Sequence, residues 1–418
     1  MTERLYYNDA TLSTFSAEVT DIREASRANG QSVWQIALNR TAFYPTSGGQ
    51  PFDVGTLEAT SRSGAVLSVD VLEVVEDDAG EVWHVTQKPL LAGTEVTGGV
   101  NWERRLDHMQ QHSGQHLLSA AFLRECAAAT VSFHLGSESS TIDLAVEKLS
   151  DEAMLRVEKL CNAVIAEDRP VSLHTVPRAA AEALLAEGKL RKLPEREGTI
   201  RMVEIAEFDL NACGGTHVRA AGQIGGLLIR KVEKARQGMR VEFVCGQRAV
   251  AAARLDYARL QSAAGLLTTA PSQLAEMIAK QLADAKAAAK ERQGLLEELA
   301  RMTAATMLRE ASADERLMTR VFADRDAGFL KLLAHALMKA AEGKIILLAS
   351  TQAEPVTVVL ARGSGVALHC GNLLRQQLEK CNARGGGSAE MAQGALPQSS
   401  LDALLTGLAA DLHPQVQR

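Results

Sequence analysis

Four potential metal donors constrain the fold of this chain more than any other feature. His112 and His116 lie four residues apart in Arg105-Leu-Asp-His-Met-Gln-Gln-His-Ser-Gly-Gln-His-Leu-Leu-Ser-Ala-Ala-Phe122, and Cys213 and His217 bracket Gly-Gly-Thr far later in the chain. Apolar residues at Leu106, Met109, Leu117, Leu118, Ala121 and Phe122 predict a helix, on which a spacing of four puts both imidazoles on one face. In the second segment Gly214 and Gly215 let the backbone bend tightly enough to aim Cys213 and His217 at one point. Three imidazoles and a thiolate are enough to surround a tetrahedral Zn²⁺. Either pair alone is a weak signal. Together they require a fold that brings the two segments into one site. The plainer reading, two unrelated and satisfied histidine pairs, leaves a Cys and a His bracketing two glycines to chance.

Composition excludes several classes of protein. No apolar run approaches the ~20 residues of a membrane span, and Ile345-Ile-Leu-Leu-Ala349 has the length of a buried strand, so no membrane partner is expected. The N-terminus lacks the apolar core of a secretion signal. Six cysteines (126, 161, 213, 245, 370 and 381) are scattered without CxxC pairs, which favours reduced thiols and a cytoplasmic location. Only 4% of residues are aromatic, too few for a large stacking platform. Because the net charge is −6, a polyanionic partner has to be met by local basic surface. Two runs offer it: Lys189, Arg191, Lys192, Arg196 and Arg201, then Arg230, Lys231, Lys234, Arg236 and Arg240. Such runs are usually solvated faces, so alone they add little to the case for nucleic acid.

The expected fold class is α+β, in four parts. Residues 1–100 alternate apolar and polar positions in five stretches (17–22, 32–42, 55–61, 66–75 and 81–85) between Gly, Asn and Asp turns, which predicts a small β-barrel-like or sandwich domain. Residues 101–246 predict an α+β domain carrying the four donors, with helices from Trp102 to Arg124 and from Ser150 to Glu167. Residues 247–312 are rich in Ala with Leu among Lys, Glu and Arg, and predict a helical arm with a break near Pro271. Residues 313–418 return to mixed patterning and predict a small C-terminal α/β domain. Its Arg384-Gly-Gly-Gly-Ser388 segment reads either as a flexible loop or as backbone able to approach a phosphate.

A further constellation lies upstream in Thr41-Ala-Phe-Tyr-Pro-Thr-Ser-Gly-Gly-Gln50. Gly48 and Gly49 would let a bulky ligand touch backbone, and Gln50 can donate and accept, which suits gripping a water or an ester carbonyl. A well-made turn explains the same residues, and the residues alone do not choose. This segment, His112-xxx-His116 and Cys213-Gly-Gly-Thr-His217 resemble, in order and approximate separation, the editing domain of alanyl-tRNA synthetase and its free-standing relatives, the AlaX trans-editing proteins. The resemblance spans roughly residues 1–246, and the arm with Arg384-Gly-Gly-Gly resembles the synthetase's C-terminal domain, as in the long AlaX class.

That resemblance implies a hydrolase that removes serine, and extends to glycine, wrongly attached to tRNA(Ala). It implies one zinc ion per chain on His112, His116, Cys213 and His217. Thr41 and Gln50 would be catalytic: the Thr41 hydroxyl would bond the serine hydroxyl that alanine lacks, and Gln50, Gly48 and Gly49 would line the substrate pocket beside the terminal adenosine. A homodimer through the arm or the C-terminal domain is an open expectation. The segment Phe133-His134-Leu-Gly136 also resembles a family motif and receives no role. Four protein ligands leave no open position on the metal, so either one ligand is released or the metal mainly orders the site, and both remain open. Two rivals stand beside this reading. A metalloprotease needs Glu after the first histidine of its HExxH motif, where this chain has Ser113. The other is a zinc-stabilised tRNA-binding protein without hydrolytic activity.

Overall fold

Six strands of the N-terminal hundred residues close into a barrel: β1 (Thr14–Ala28), β2 (Gln31–Leu38), β3 (Gly55–Thr60), β4 (Val66–Glu76), β5 (Val82–Thr86) and β6 (Glu95–Val100), in the order β1-β2-β5-β4-β3-β6. A computed structural model describes residues 1–28, 31–61, 64–195, 198–312 and 314–416. The inward positions of the alternating strands fill the barrel with Val19, Ile36, Leu38, Leu57, Val69 and Val96, as period-two patterning requires. Strand β6 was absent from the sequence expectation because Gly98 and Gly99 break the alternation. Its glycines have a packing reason: a Cβ on Gly98 would lie 2.3 Å from the Phe15 ring.

From the barrel the chain enters helix α1 (Trp102–Cys126), capped by the Asn101 side chain, which accepts from the backbone N–H of Arg104. Every residue from His108 to Phe122 is buried, so α1 is a central helix, not the one-sided helix that the apolar spacing predicts. Around it lie a four-stranded sheet and a three-stranded sheet. The first contains β7 (Thr130–Leu135), β8 (Ser140–Leu144), β12 (Leu227–Ala235) and β13 (Gly238–Cys245) in the order β12-β13-β8-β7; the second contains β9 (Val171–Pro177), β10 (Thr199–Ile205) and β11 (Asp209–Ala212) in sequential order. Helix α2 (Asp151–Ala166) packs Val157, Cys161 and Val164 into the core shared with α1, and α3 (Arg178–Ala186) follows β9.

Helix α4 (Gly246–Leu266) and helix α5 (Leu274–Glu310) cover the residues expected as a helical arm and are separated at Pro271 as the sequence predicts. The chain divides into two units, Met1–Ser262 and Ala263–Arg418. In the second unit a five-stranded mixed sheet holds β14 (Leu317–Phe322), β15 (Ile345–Ser350), β16 (Val356–Arg362), β17 (Arg384–Gly387) and β18 (Met391–Leu396), ordered β14-β15-β16-β18-β17. Helices α6 (Ala327–Ala340), α7 (Cys370–Lys380) and α8 (Leu401–Val416) complete it. Here the structure corrects the sequence reading of the glycine run. Residues 384–387 are an edge strand paired with 392–395, not a phosphate loop. The cause is close packing by α7: a Cβ on Gly385 would stand 2.4 Å from Leu378 Cδ1. Among the described residues, no helix is long and apolar enough to cross a membrane.

Candidate metal centre

Helix α1 delivers His112 and His116 from successive turns, and the turn after β11 delivers Cys213 and His217. The four side chains meet, with their ligand atoms all within 4.8 Å of one another. His112 Nε2 lies 3.5 Å and His217 Nε2 3.2 Å from Cys213 Sγ. The turn reaches the helix only because position 215 has no side chain: a Cβ there would fall 2.2 Å from His112 Cε1. Gly214 has no such neighbour, its nearest atom being Tyr7 Oη at 3.8 Å.

Each imidazole is oriented through its other nitrogen. His112 Nδ1 donates to Gln50 Oε1 at 2.8 Å, an oxygen that also accepts from the Thr216 N–H, while Gln50 Nε2 donates to Thr216 Oγ1. His217 Nδ1 lies 3.2 Å from Ser113 Oγ. His116 Nδ1 lies 3.5 Å from Asp209 Oδ2 and 3.3 Å from the Asn211 amide. Metal-binding histidines are commonly held in this way, since a partner on one ring nitrogen fixes the tautomer that leaves the other a lone pair. The donor set and its partners therefore fit a metal ion.

The protonation states of Cys213 and His217 are those of metal donors, whereas His116 has to give up a proton to the incoming ion. Burial opposes the Cys213 thiolate, yet His112 and His217 beside it hold its pKa well below the ordinary thiol value. Burial pushes His217 down to about 3, so it is neutral. Burial also acts to lower His116, but Asp209 and Cys213 outweigh it and raise that pKa to about 9. A thiolate is the form in which Cys ligates a metal.

Two arginines hold the segments in place. Arg201 donates to the carbonyls of Cys213 at 2.7 Å and Gly215 at 3.0 Å, which shapes the ligand turn. Arg105, fully buried, pairs with the fully buried Asp53 and donates to the carbonyls of Ala10 and Ala42. Asp53 in turn accepts from the Tyr44 N–H. The loop carrying Gln50 is thereby tied to α1.

The sequence-predicted residues separate into two groups. Gly48 and Gly49 line, with His112, His116 and Cys213, a cleft of about 490 Å³. Gln50 is fully buried and bonds His112 and Thr216 through its amide, so it orients the His112 ring. The Thr41 hydroxyl is also fully buried, against barrel strand β5, 2.8 Å from His84 Nε2 and accepting from the Phe43 N–H. It is not among the residues lining the cleft. His84 Nδ1 faces the Ile36 carbonyl, which can only accept, so Nε2 carries the lone pair and Thr41 is the donor.

Sequence reasoning missed Ser113, Asp209, Asn211, Thr216, Arg201 and the Arg105–Asp53 pair. The available signals were positional: Ser113 and Thr216 adjoin ligands, and Asp209 and Asn211 alternate on the strand that leads into Cys213. The second basic run is largely neutralised, with Arg230 paired to Asp256, Lys231 to Glu233 and Arg240 to Asp143. In the first run Arg191 and Lys192 line the cleft, and Arg196 lies outside the described residues.

Three family profiles match the chain in order. The profile of class II (A) tRNA synthetases covers residues 1–104, the barrel and the start of α1. The threonyl and alanyl tRNA synthetase second additional domain covers residues 200–241, including Cys213 and His217. The DHHA1 domain covers residues 314–412. The alanyl-tRNA editing protein AlaX-M of Methanosarcina acetivorans is 33% identical over 253 residues, which are 58% of this chain and 98% of that protein. The chain belongs to the alanyl-tRNA editing protein family. Its similarity to alanine–tRNA ligases runs further along the chain. The enzyme of Pyrococcus abyssi is 30% identical over 412 residues and that of Archaeoglobus fulgidus 33% over 408, matches that take in 96% and 95% of this family member. The chain spans only 42% of the length of either ligase.

Proposed function

We propose that this chain is a trans-editing hydrolase that cleaves the aminoacyl ester of tRNA(Ala) mischarged with serine, and with glycine, in the cytoplasm. The observation that carries this reading is the convergence of His112, His116, Cys213 and His217 beside a cleft, in a chain of the alanyl-tRNA editing family. We assign the site one zinc ion on these four donors, which when bound would either polarise a carbonyl or water from the cleft after one donor is released or mainly order the site. The protein groups supply the rest. An aminoacyl ester is already activated, so holding it beside a positioned water accounts for much of the rate. Gln50, Asp209 with Asn211, and Ser113 keep the three imidazoles aimed, and Gly48 and Gly49 let the substrate approach the backbone of the cleft.

Thr41 remains our candidate selector. Its oxygen donates to His84 and accepts from Phe43, which leaves one lone pair free to accept from a serine hydroxyl. Since Thr41 is buried, that contact requires the residues over it to part locally when substrate enters. A site built to bond a hydroxyl rejects the analogue that lacks it strongly. The arm and C-terminal unit are assigned to tRNA capture and to dimerisation, because Ile278, Leu282, Leu295 and Met302 leave exposed apolar positions along α5.

The test is release of amino acid from tRNA(Ala) charged with serine, glycine or alanine. Serine should be released fastest and alanine slowest, with Thr41→Val narrowing the gap. Four protein donors also suit a closed, structural metal site, which favours the reading of a zinc-stabilised tRNA-binding protein. Tight tRNA binding with no ester release from any charged tRNA would establish that second reading.

A further inference from the structure

The cleft beside the donors carries an apolar wall that the hydrolytic chemistry does not use. Phe133 and Val131 alternate on strand β7, point the same way, and are 36% and 52% exposed. The Phe133 ring rests on the backbone of Gly49, where a Cβ would lie 2.7 Å from Cε2. Its centroid is 6.0 Å from that of the His112 ring, and the two planes are inclined by 34°. Among the described residues lining the cleft, Phe133 is the one phenyl ring, and Arg191 and Lys192 are the cations. Arg191 is held by Asp209 at 2.8 Å and Asn211 at 3.1 Å. The exposed ring therefore shares its cleft with three of the four donors and with two cations.

We propose that Phe133 is the stacking face for the terminal nucleobase of the aminoacyl-tRNA, with Lys192 meeting the adjoining phosphate. The inference rests on the hydrolase reading and deepens it. In such a substrate the amino acid and the base hang from one ribose, so a group that holds the base has to stand about one sugar away from the reacting ester. Phe133 stands at that remove from His112. A base stacked on the ring replaces water on an otherwise exposed apolar face, and this contact is tolerant of base identity. Gly49 is then explained twice, by its place in the cleft and by the space that the ring occupies. The cation adds the salt-sensitive part of the binding.

The test uses the full chain loaded with zinc and three probes: AMP, adenosine and ribose 5-phosphate, measured by equilibrium binding. Phe133→Ala should weaken AMP and adenosine by about tenfold, the order expected for one lost base–aromatic stack, and leave ribose 5-phosphate unchanged. Phe133→Trp should restore both. Lys192→Ala should weaken AMP and leave adenosine unchanged. Metal content equal to wild type in all three variants shows that the donors are undisturbed. On serine-charged tRNA, Phe133→Ala should raise KM with little change in kcat, the mark of lost uniform binding. Wild-type protein that does not bind AMP, or AMP affinity unaltered in Phe133→Ala, overturns the proposal. Absence of ester release by wild-type protein overturns the hydrolase reading instead, and the binding arms still decide the role of Phe133.

Discussion

The unit that carries the donors buries Arg105, Asp53, Gln50, Gln111, Ser113 and Thr216 along with its histidines, whereas the C-terminal unit, among its described residues, buries only Ser350 and Gln377 as polar groups, within cores of Leu, Ile, Val and Ala. A buried polar group is tolerated only when its hydrogen bonds are made inside the protein. The first unit therefore devotes its interior to positioning, and the second to packing. Their glycines divide in the same way. Gly215 is small so that a turn can touch the His112 ring, and Gly385 is small so that α7 can lie on a strand.

The largest expected difference between the two interiors lies in Arg105 and Asp53. Asp53→Asn leaves a buried guanidinium without its counter-charge, and loss of one partner of such a pair costs about 3–5 kcal/mol. In the C-terminal unit, Ser350→Ala removes the hydrogen bond to the Arg325 carbonyl and should cost only about 0.5–1.5 kcal/mol. Denaturant titration of both variants checks this, and equal losses would break the comparison.

Acid gives the next effect. Burial pushes both His84 and His108 down to about 4, below the ~6.5 of an unfolded histidine. The unfolded chain therefore takes up protons first, so the stability due to His84 is complete above pH 6.5. It drains away as pH falls from there to about 4, up to about 3 kcal/mol for this residue. In the C-terminal unit His335 and His369 are exposed. Stability measured against pH should fall across that window in wild type and less steeply in His84→Gln. Identical slopes would remove His84 from the account.

The glycines supply the smaller effects. Gly215→Ala should weaken metal binding by about 10–100-fold, the range for a disturbed ligand environment, while Gly214→Ala should leave it near wild type. Gly385→Ala should destabilise the C-terminal unit by about 1–3 kcal/mol through overpacking without altering metal content. Metal titration of the three variants, with melting curves, separates the two reasons for a glycine.

The donors were legible in the sequence because Cys and His are few and their spacing around a helix turn and a glycine pair is chemically specific. Their orienting partners were not. Gln50, Ser113 and Asn211 are common polar residues, and only the fold reveals which ring nitrogen each one faces, or that Thr216 holds Gln50. The barrel was legible from alternation up to the point where glycine removed the signal, which is why strand β6 escaped. The same silence hid strand β17, since Gly385, Gly386 and Gly387 carry no side chain to alternate. Helix α1 is legible from its apolar positions, yet its burial on all sides is not, because His108, Gln110, Gln111 and Gln115 are polar residues buried with the rest.

Zinc content and ester release measured in one preparation test the central claim most directly. The protein would be stripped with a chelator and re-titrated with zinc, and release of serine from mischarged tRNA(Ala) followed at each step. The account expects one equivalent bound per chain, hydrolysis that rises in proportion to occupancy, and neither in Cys213→Ala/His217→Ala. Full hydrolysis by the stripped protein, or a bound equivalent that survives in the double variant, would contradict it.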